Sequence, residues 1–170
     1  MTGPPRVHVA VDDGERIRPG RIGQPANTTS SLAFVVAALA MVRRARRRDR
    51  AWPWTAVAGA TALVGVGSVG FHGPGNRPGK AVHDLGVAAV ALTLPLALAV
   101  DPPDRFPRAA AGLGAAAVLL HTQSRTGRHL AGTDAPVPGH SVFHVVAAAA
   151  LAFVVPGHDS GERASIRSCR

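Results

Sequence analysis

Two short stretches place polar residues at helical spacing inside apolar sequence. GVGSVGFHGPG contains Ser68 and His72, and GHSVFHVVAAAALAFVV contains His140 and His144. Residues four apart lie on one face of a helix, so the two members of each pair can point the same way. Three imidazole nitrogens with an open fourth position form the ligand set of a catalytic zinc site. The spacing therefore favours a zinc site built by His72, His140 and His144.

Two further polar residues accompany these histidines. Asp84 opens the next apolar block, where its carboxylate can orient a ligand or act as a general base. Ser68 can donate a hydrogen bond to a developing oxyanion. A simpler interpretation stays open, in which helix-end histidines sit at a membrane interface and Asp84 is a helix N-cap. Ionisable residues within membrane segments favour the functional interpretation.

Five apolar blocks have to position these residues. Hydrophobic residues make up 46% of the 170-residue chain and charged residues 17%, and the charges lie between the blocks. This distribution predicts a single all-α domain, an integral membrane helical bundle of about five transmembrane helices. A soluble all-α protein is the alternative, but five buried helices would leave little polar surface for water. The predicted helices span about 28–42, 54–72, 84–100, 109–122 and 139–155.

Polar segments flank the predicted helical domain 27–156. Residues 1–26 are rich in Pro and Gly and show no periodicity, so we expect a flexible N-terminal tail. Residues 157–170 are predicted to form a C-terminal tail, and they contain Cys169, the single cysteine. One cysteine excludes a disulfide framework and a cysteine metal motif within the chain.

The positive charge is concentrated beside one apolar block. The net charge is +9, and six arginines lie in the run 43-RRARRRDR-50, directly after the first predicted helix. Such a cluster is typical of the cytoplasmic flank of a membrane helix. The chain lacks the aromatic residues on which single-strand binders stack bases, so we expect no nucleic-acid partner.

The arginine run also predicts an orientation. With 43–50 in the cytoplasm, five crossings place the N-terminus outside and the C-terminus inside. His72, Asp84 and His140 then fall in the same outer layer. Arginine in place of lysine and abundant alanine are typical of high-GC bacterial coding, which predicts a bacterial plasma membrane.

These residues resemble the alkaline ceramidases, within the wider group of membrane hydrolases that includes the adiponectin-receptor-like proteins. GVGSVGFH is similar to the family's G-x-G-S-x-x-F-H, and HSVFH is similar to its H-x-x-x-H at the start of the last helix. Asp84 falls near the position of the family's aspartate. The stretch QPANTTSS is similar to E-x-x-N-T-x-S-N near the first helix, with Gln24 in place of the glutamate.

The resemblance implies a zinc-dependent hydrolase that cleaves a linear amide bond of a lipid. It implies zinc ligands at His72, His140 and His144, an acid/base role for Asp84, and a helper role for Ser68 at the metal or the oxyanion. Ceramide, another N-acyl lipid and an ester all remain candidate substrates. Family members have seven transmembrane helices where five are predicted here. The acidic N-terminal residues do not match the family's calcium cluster, so no calcium site is expected.

Two other functions stay open. The zinc site can be structural, in a non-enzymatic receptor-like protein or scaffold, and Asp84 as a fourth ligand would favour that interpretation. In a small membrane scaffold without metal, the histidines would lie at helix ends with no chemistry. The sequence does not specify an oligomeric state.

Overall fold

The structure, a computed structural model, describes residues 8–10, 14–103, 106–125 and 137–156. Five helices account for most of these residues, and no strand occurs among them. The prediction of an all-α bundle with five helices is therefore confirmed. The helices are α1 (Pro25–Ala45), α2 (Ala51–His72), α3 (Arg77–Val100), α4 (Arg108–Gln123) and α5 (Gly139–Val154).

Three of the helices have the length and the composition of membrane spans. α1, α2 and α3 contain 21, 22 and 24 residues, and each holds a sufficiently apolar window. α5 is apolar but has only 16 residues, and α4 also has 16. Large apolar side chains on the outer faces are exposed, including Val36, Val66 and Leu92. The bundle is thus compatible with membrane insertion, whereas crossings by α4 and α5 stay predictions.

α3 begins about two turns earlier than predicted. The side-chain oxygen of Asn76 accepts a hydrogen bond from the Gly79 amide at 2.7 Å, and Pro78 occupies the first turn. An asparagine N-cap followed by an early proline is a strong start for a helix. Asp84 therefore lies inside α3 and does not cap it, so the prediction that the helix starts at Asp84 was wrong.

The helices follow the order α3, α2, α1, α5, α4 across the bundle. α2 packs between α1 and α3, and α5 packs between α1 and α4. This row curves, because residues of α3, α4 and α5 line one common cavity. The start of α1 and the start of α5 therefore meet the ends of α2 and α4 at the same end of the bundle.

At the opposite end of the bundle, arginine side chains connect the helix ends. Arg48 pairs with Asp101, which also accepts a hydrogen bond from the Trp54 indole at 2.7 Å. The Arg48 guanidinium, assisted by Trp54, holds the pKa of Asp101 below its usual range. Arg44 donates to the carbonyl of Ala152 in α5. Part of the arginine run thus connects helix ends in addition to carrying charge.

Glycines bring α2 and α3 into close contact. A Cβ atom on Gly67 would overlap the backbone at His83, and one on Gly79 would overlap the backbone at Gly70. Small residues of this kind allow two helix backbones to approach closely in a membrane. The glycine-rich run before His72 therefore has a packing role, which sets the distance between α2 and α3.

We expect Gly67→Ala to destabilise the protein by about 1 to 3 kcal/mol, because the added methyl group forces α2 and α3 apart. Gly59→Ala, on the same helix, meets no atom within 4 Å and serves as the matched control. Thermal unfolding in detergent, followed by tryptophan fluorescence, measures both variants. Equal melting temperatures for the two would contradict the proposed packing role.

Candidate metal centre

Three histidines meet at the end of the bundle where α2 ends and α5 begins. His72 is the last residue of α2, and His140 and His144 lie on one face of the first turns of α5. All three are buried, and one ligand atom from each lies within 4.8 Å of the others. Their ring centroids are 4.6 to 5.3 Å apart. The predicted proximity of these histidines is confirmed, and the cluster can bind a metal ion.

Hydrogen bonds from outside the cluster orient each imidazole. His72 Nδ1 lies 2.7 Å from Gln24 Oε1, and His144 Nδ1 lies 2.9 Å from Ser30 Oγ. His140 Nδ1 makes a longer contact of 3.5 Å with Ser124 Oγ. Partners of this kind around a metal site fix ring orientation and raise ligand basicity.

The partners also assign the tautomers. Gln24 donates through Nε2 to the carbonyls of Ala10 and Glu15, so its Oε1 must accept from His72. Ser30 and Ser124 each donate their single proton to a backbone carbonyl, so their oxygens accept from the histidines. These contacts favour a proton on each Nδ1, in which case a metal would bind through Nε2.

The N-terminal segment covers the histidine end of the bundle. Its described residues include the buried side chains of Glu15 and Gln24. The Glu15 carboxylate accepts from the amides of Ala26 and Asn27 at the start of α1, as expected for an anion at a helix N-terminus. The prediction of a flexible tail is corrected for residues 8–10 and 14–24, because these described residues hydrogen-bond to one another and to the bundle.

His8 belongs to the same cover. Its Nε2 lies 3.2 Å from the carbonyl oxygen of His72, and a Cβ atom on Gly23 or Gly75 would overlap its ring. Gly75 has φ +62°, a backbone conformation that favours glycine. His8 lies in the segment predicted to be a flexible tail, whereas it fills the space beside the end of α2. No local pattern in the sequence links His8 to His72.

Ser68 lies one turn before His72 and is fully buried. It accepts a hydrogen bond of 2.8 Å from Ser31 Oγ, which is also 3.4 Å from His144 Nδ1. Ser68 is thus connected to the Nδ1 side of His144. This placement fits a helper of the metal site better than a donor to an oxyanion.

Asp84 lies outside the histidine cluster. Its carboxylate pairs with Lys80 one turn earlier on α3 and accepts from the neighbouring His83 Nδ1 at 3.1 Å. The side chain is 54% exposed. Among the described residues, no Asp, Glu, Cys or fourth His joins the cluster. Asp84 does line the cavity that reaches His140 and His144.

A cavity of about 810 Å³ lies beside the histidines. Its wall is mostly apolar, and its polar residues collect near the histidine end. The apolar wall includes Phe34, Val64, Val87, Ala91, Ala147 and Leu151. The polar wall includes Lys80, His83, Asp84, His121, Arg125, His140 and His144. The sequence interpretation missed His121 and Arg125, because each stands alone at the end of α4 with no motif around it.

No protein-family model matches the chain, and no curated protein or solved structure matches it either. The argument for function therefore depends on the histidine cluster and the cavity. The chemistry of the donors suits zinc, which accepts neutral imidazole nitrogens.

Removing one orienting partner should weaken metal binding without unfolding the protein. Ser30→Ala deletes the nearer of the two serine hydroxyls at His144 Nδ1, so we expect zinc affinity to fall by about tenfold. Thr29→Ala is the control, because Thr29 is exposed and bonds only to the carbonyl of Pro25. Competition with a chromophoric chelator on metal-free protein gives both affinities. Equal affinities would show that Ser30 does not orient His144.

Proposed function

We propose that the protein is an integral membrane, zinc-dependent hydrolase that cleaves a linear amide bond of a lipid. The observation that carries the proposal is the cluster of His72, His140 and His144, of which His140 and His144 line a mostly apolar cavity. An apolar cavity with a few convergent polar groups is the usual form of a small-molecule site.

Zinc would be held by His72, His140 and His144. Three protein ligands leave one coordination position for water or substrate, as in catalytic zinc sites, whereas structural sites use four protein ligands. The described residues offer no fourth ligand, which supports the catalytic alternative. When bound, zinc supplies a Lewis acid that polarises a carbonyl group and acidifies water.

The chain's own residues supply binding and proton transfer. The apolar wall, including Val87, Ala91 and Leu151, binds the acyl chain and excludes water from the histidine end. The Asp84 carboxylate lies on the same wall, where it accepts a proton from the attacking water and returns it to the leaving nitrogen. In that role it exchanges its hydrogen bond with Lys80 for one to the reactants. Ser68 acts indirectly, through Ser31 and the orientation of His144.

A lipid substrate requires that the site face the membrane. α2 has 22 residues, or about 33 Å at 1.5 Å per residue, which is close to the thickness of the hydrocarbon layer. His72 at its end therefore lies near one membrane surface, where the amide of a lipid is found. The arginine run lies at the other end of the bundle. Its charge favours a bacterial plasma membrane protein with that end on the cytoplasmic side and the N-terminus outside.

A second candidate function is a non-enzymatic membrane protein with a structural zinc site. One observation favours it, namely that the Asp84 carboxylate is already paired with Lys80, whereas a general base has to contact the attacking water. The two functions differ in what Asp84 does. Only the hydrolase requires its carboxylate.

The first test measures metal content and lipid amide hydrolysis on purified protein. We expect about one zinc per chain in the wild type and none in His144→Ala, since two histidines rarely retain the ion. His158→Ala, which changes a histidine of the predicted C-terminal tail, is the control and should retain the zinc. Hydrolysis of a panel of N-acyl lipids should be lost together with the metal. No bound metal in folded wild-type protein that was never exposed to a chelator would exclude the hydrolase.

The second variant separates the two functions. Asp84→Asn should retain zinc and lower hydrolysis by more than about a hundredfold, because the general base is lost. Asn76→Ala is not a suitable control, since it removes the cap of α3; Arg77→Gln changes an exposed charge on the same helix and is preferred. A zinc-loaded wild type that hydrolyses neither amides nor esters would favour the structural site.

The orientation can be tested with the native cysteine. Cys169 is the single cysteine of the chain, so a membrane-impermeant maleimide reports the location of the C-terminus without mutagenesis. We expect labelling only after the cells are opened, because the proposed C-terminus is cytoplasmic. Labelling on intact cells would reverse the orientation and place the histidine end on the cytoplasmic side.

A further inference from the structure

The cavity wall carries a positive charge that no described carboxylate balances. Arg125 follows the last turn of α4 and lines the cavity, and among the described residues it makes no ion pair. Lys80, the other cation of the wall, is already paired with Asp84. Arg125 lies close enough to His121 and His140 to interact with both electrostatically.

His121 adds a polar atom to the same part of the wall. Its Nδ1 is buried and has no hydrogen-bond partner among the described residues. The ring lies 5.9 Å from that of His140, centroid to centroid. A buried polar nitrogen without a partner costs free energy.

We propose that the lipid substrate carries an anionic group, a carboxylate or a phosphate, a few atoms from the amide that is cleaved. This inference rests on the proposed hydrolase and narrows its substrate class. Arg125 binds the anion, because a guanidinium forms paired hydrogen bonds with a carboxylate or a phosphate. His121 lines the same part of the wall, and the acyl chain lies along Val87, Ala91 and Leu151.

The position of Arg125 limits how far the anion lies from the amide. Because Arg125 and His140 line the same cavity, an anion bound to Arg125 shares that cavity with two of the three clustered histidines. An N-acyl amino acid fits this arrangement, since one carbon separates its carboxylate from the amide nitrogen. A neutral amide, such as ceramide, offers no anionic group to Arg125, which is exposed and lines the cavity.

A matched pair of substrates tests the inference. N-lauroylglycine and N-lauroylglycinamide share the chain and the scissile amide and differ in one negative charge. We expect wild-type kcat/KM to be at least about tenfold higher for the acid. Arg125→Gln should remove this preference while hydrolysis of the glycinamide changes little. Arg77→Gln, an exposed arginine at the same end of the bundle and outside the cavity wall, should leave the preference intact.

Binding to metal-free protein in nanodiscs of zwitterionic lipid gives a second readout, independent of catalysis. The acid should bind more tightly than the glycinamide to wild type and to Arg77→Gln, and equally to Arg125→Gln. An N-acyl lipid with a phosphate headgroup shows which of the two anions binds better. Equal hydrolysis and equal binding of the acid and the glycinamide would overturn the inference and leave the hydrolase standing. Absence of all hydrolysis, with preferential binding of the acid, would overturn the hydrolase and leave the anion site.

Discussion

The hydrogen bonds to the three Nδ1 atoms are the interactions on which the histidine end of the bundle depends. Three imidazoles are buried among apolar helices, and each polar nitrogen left without a partner there costs roughly 1 to 3 kcal/mol. Gln24, Ser30 and Ser124 accept the three protons and come from three different places in the chain. These partners leave Nε2 as the atom that each ring presents to its neighbours. The same contacts that make burial tolerable therefore prepare a metal site.

The need to pair the three Nδ1 atoms explains why several helix ends and the N-terminal segment meet in one layer. Gln24 is fixed by the carbonyls of Ala10 and Glu15, so the N-terminal segment has to lie across the bundle. Ser30 is in the second turn of α1, and Ser124 follows the end of α4. The remaining end of the bundle has a different chemistry, in which Arg48, Asp101 and Trp54 connect α2 and α3. α2 spans the distance between these two polar layers.

The sequence predicts the local part of this arrangement well. The spacing of His140 and His144 places both on one face of a helix, and the alternating direction of the predicted helices places His72 at the same end of the bundle. Together these suffice to predict three histidines near one another. The start of α3 was misplaced because the prediction followed the apolar block, whereas Asn76 with Pro78 begins the helix before that block. The contacts of Gln24, His8 and Arg125 could not be predicted, since they join residues far apart in sequence or without a motif.

The proposed chemistry requires the Asp84 carboxylate as a base, whereas in the structure this carboxylate is paired with Lys80. Its pair with Lys80 has side chains that are 54% and 47% exposed, and an exposed pair of this kind contributes at most about 1 kcal/mol. A bound ligand can therefore displace Lys80 from Asp84 at little cost. α3 is fixed to α2 by glycine contacts, so the proposed exchange involves side chains on the cavity wall and not a movement of the helix. The same exchange frees Lys80, which then adds a second cation to a wall that already carries Arg125. An anionic substrate would stabilise the arrangement in which Asp84 is released, so substrate binding and exposure of the proposed base favour each other.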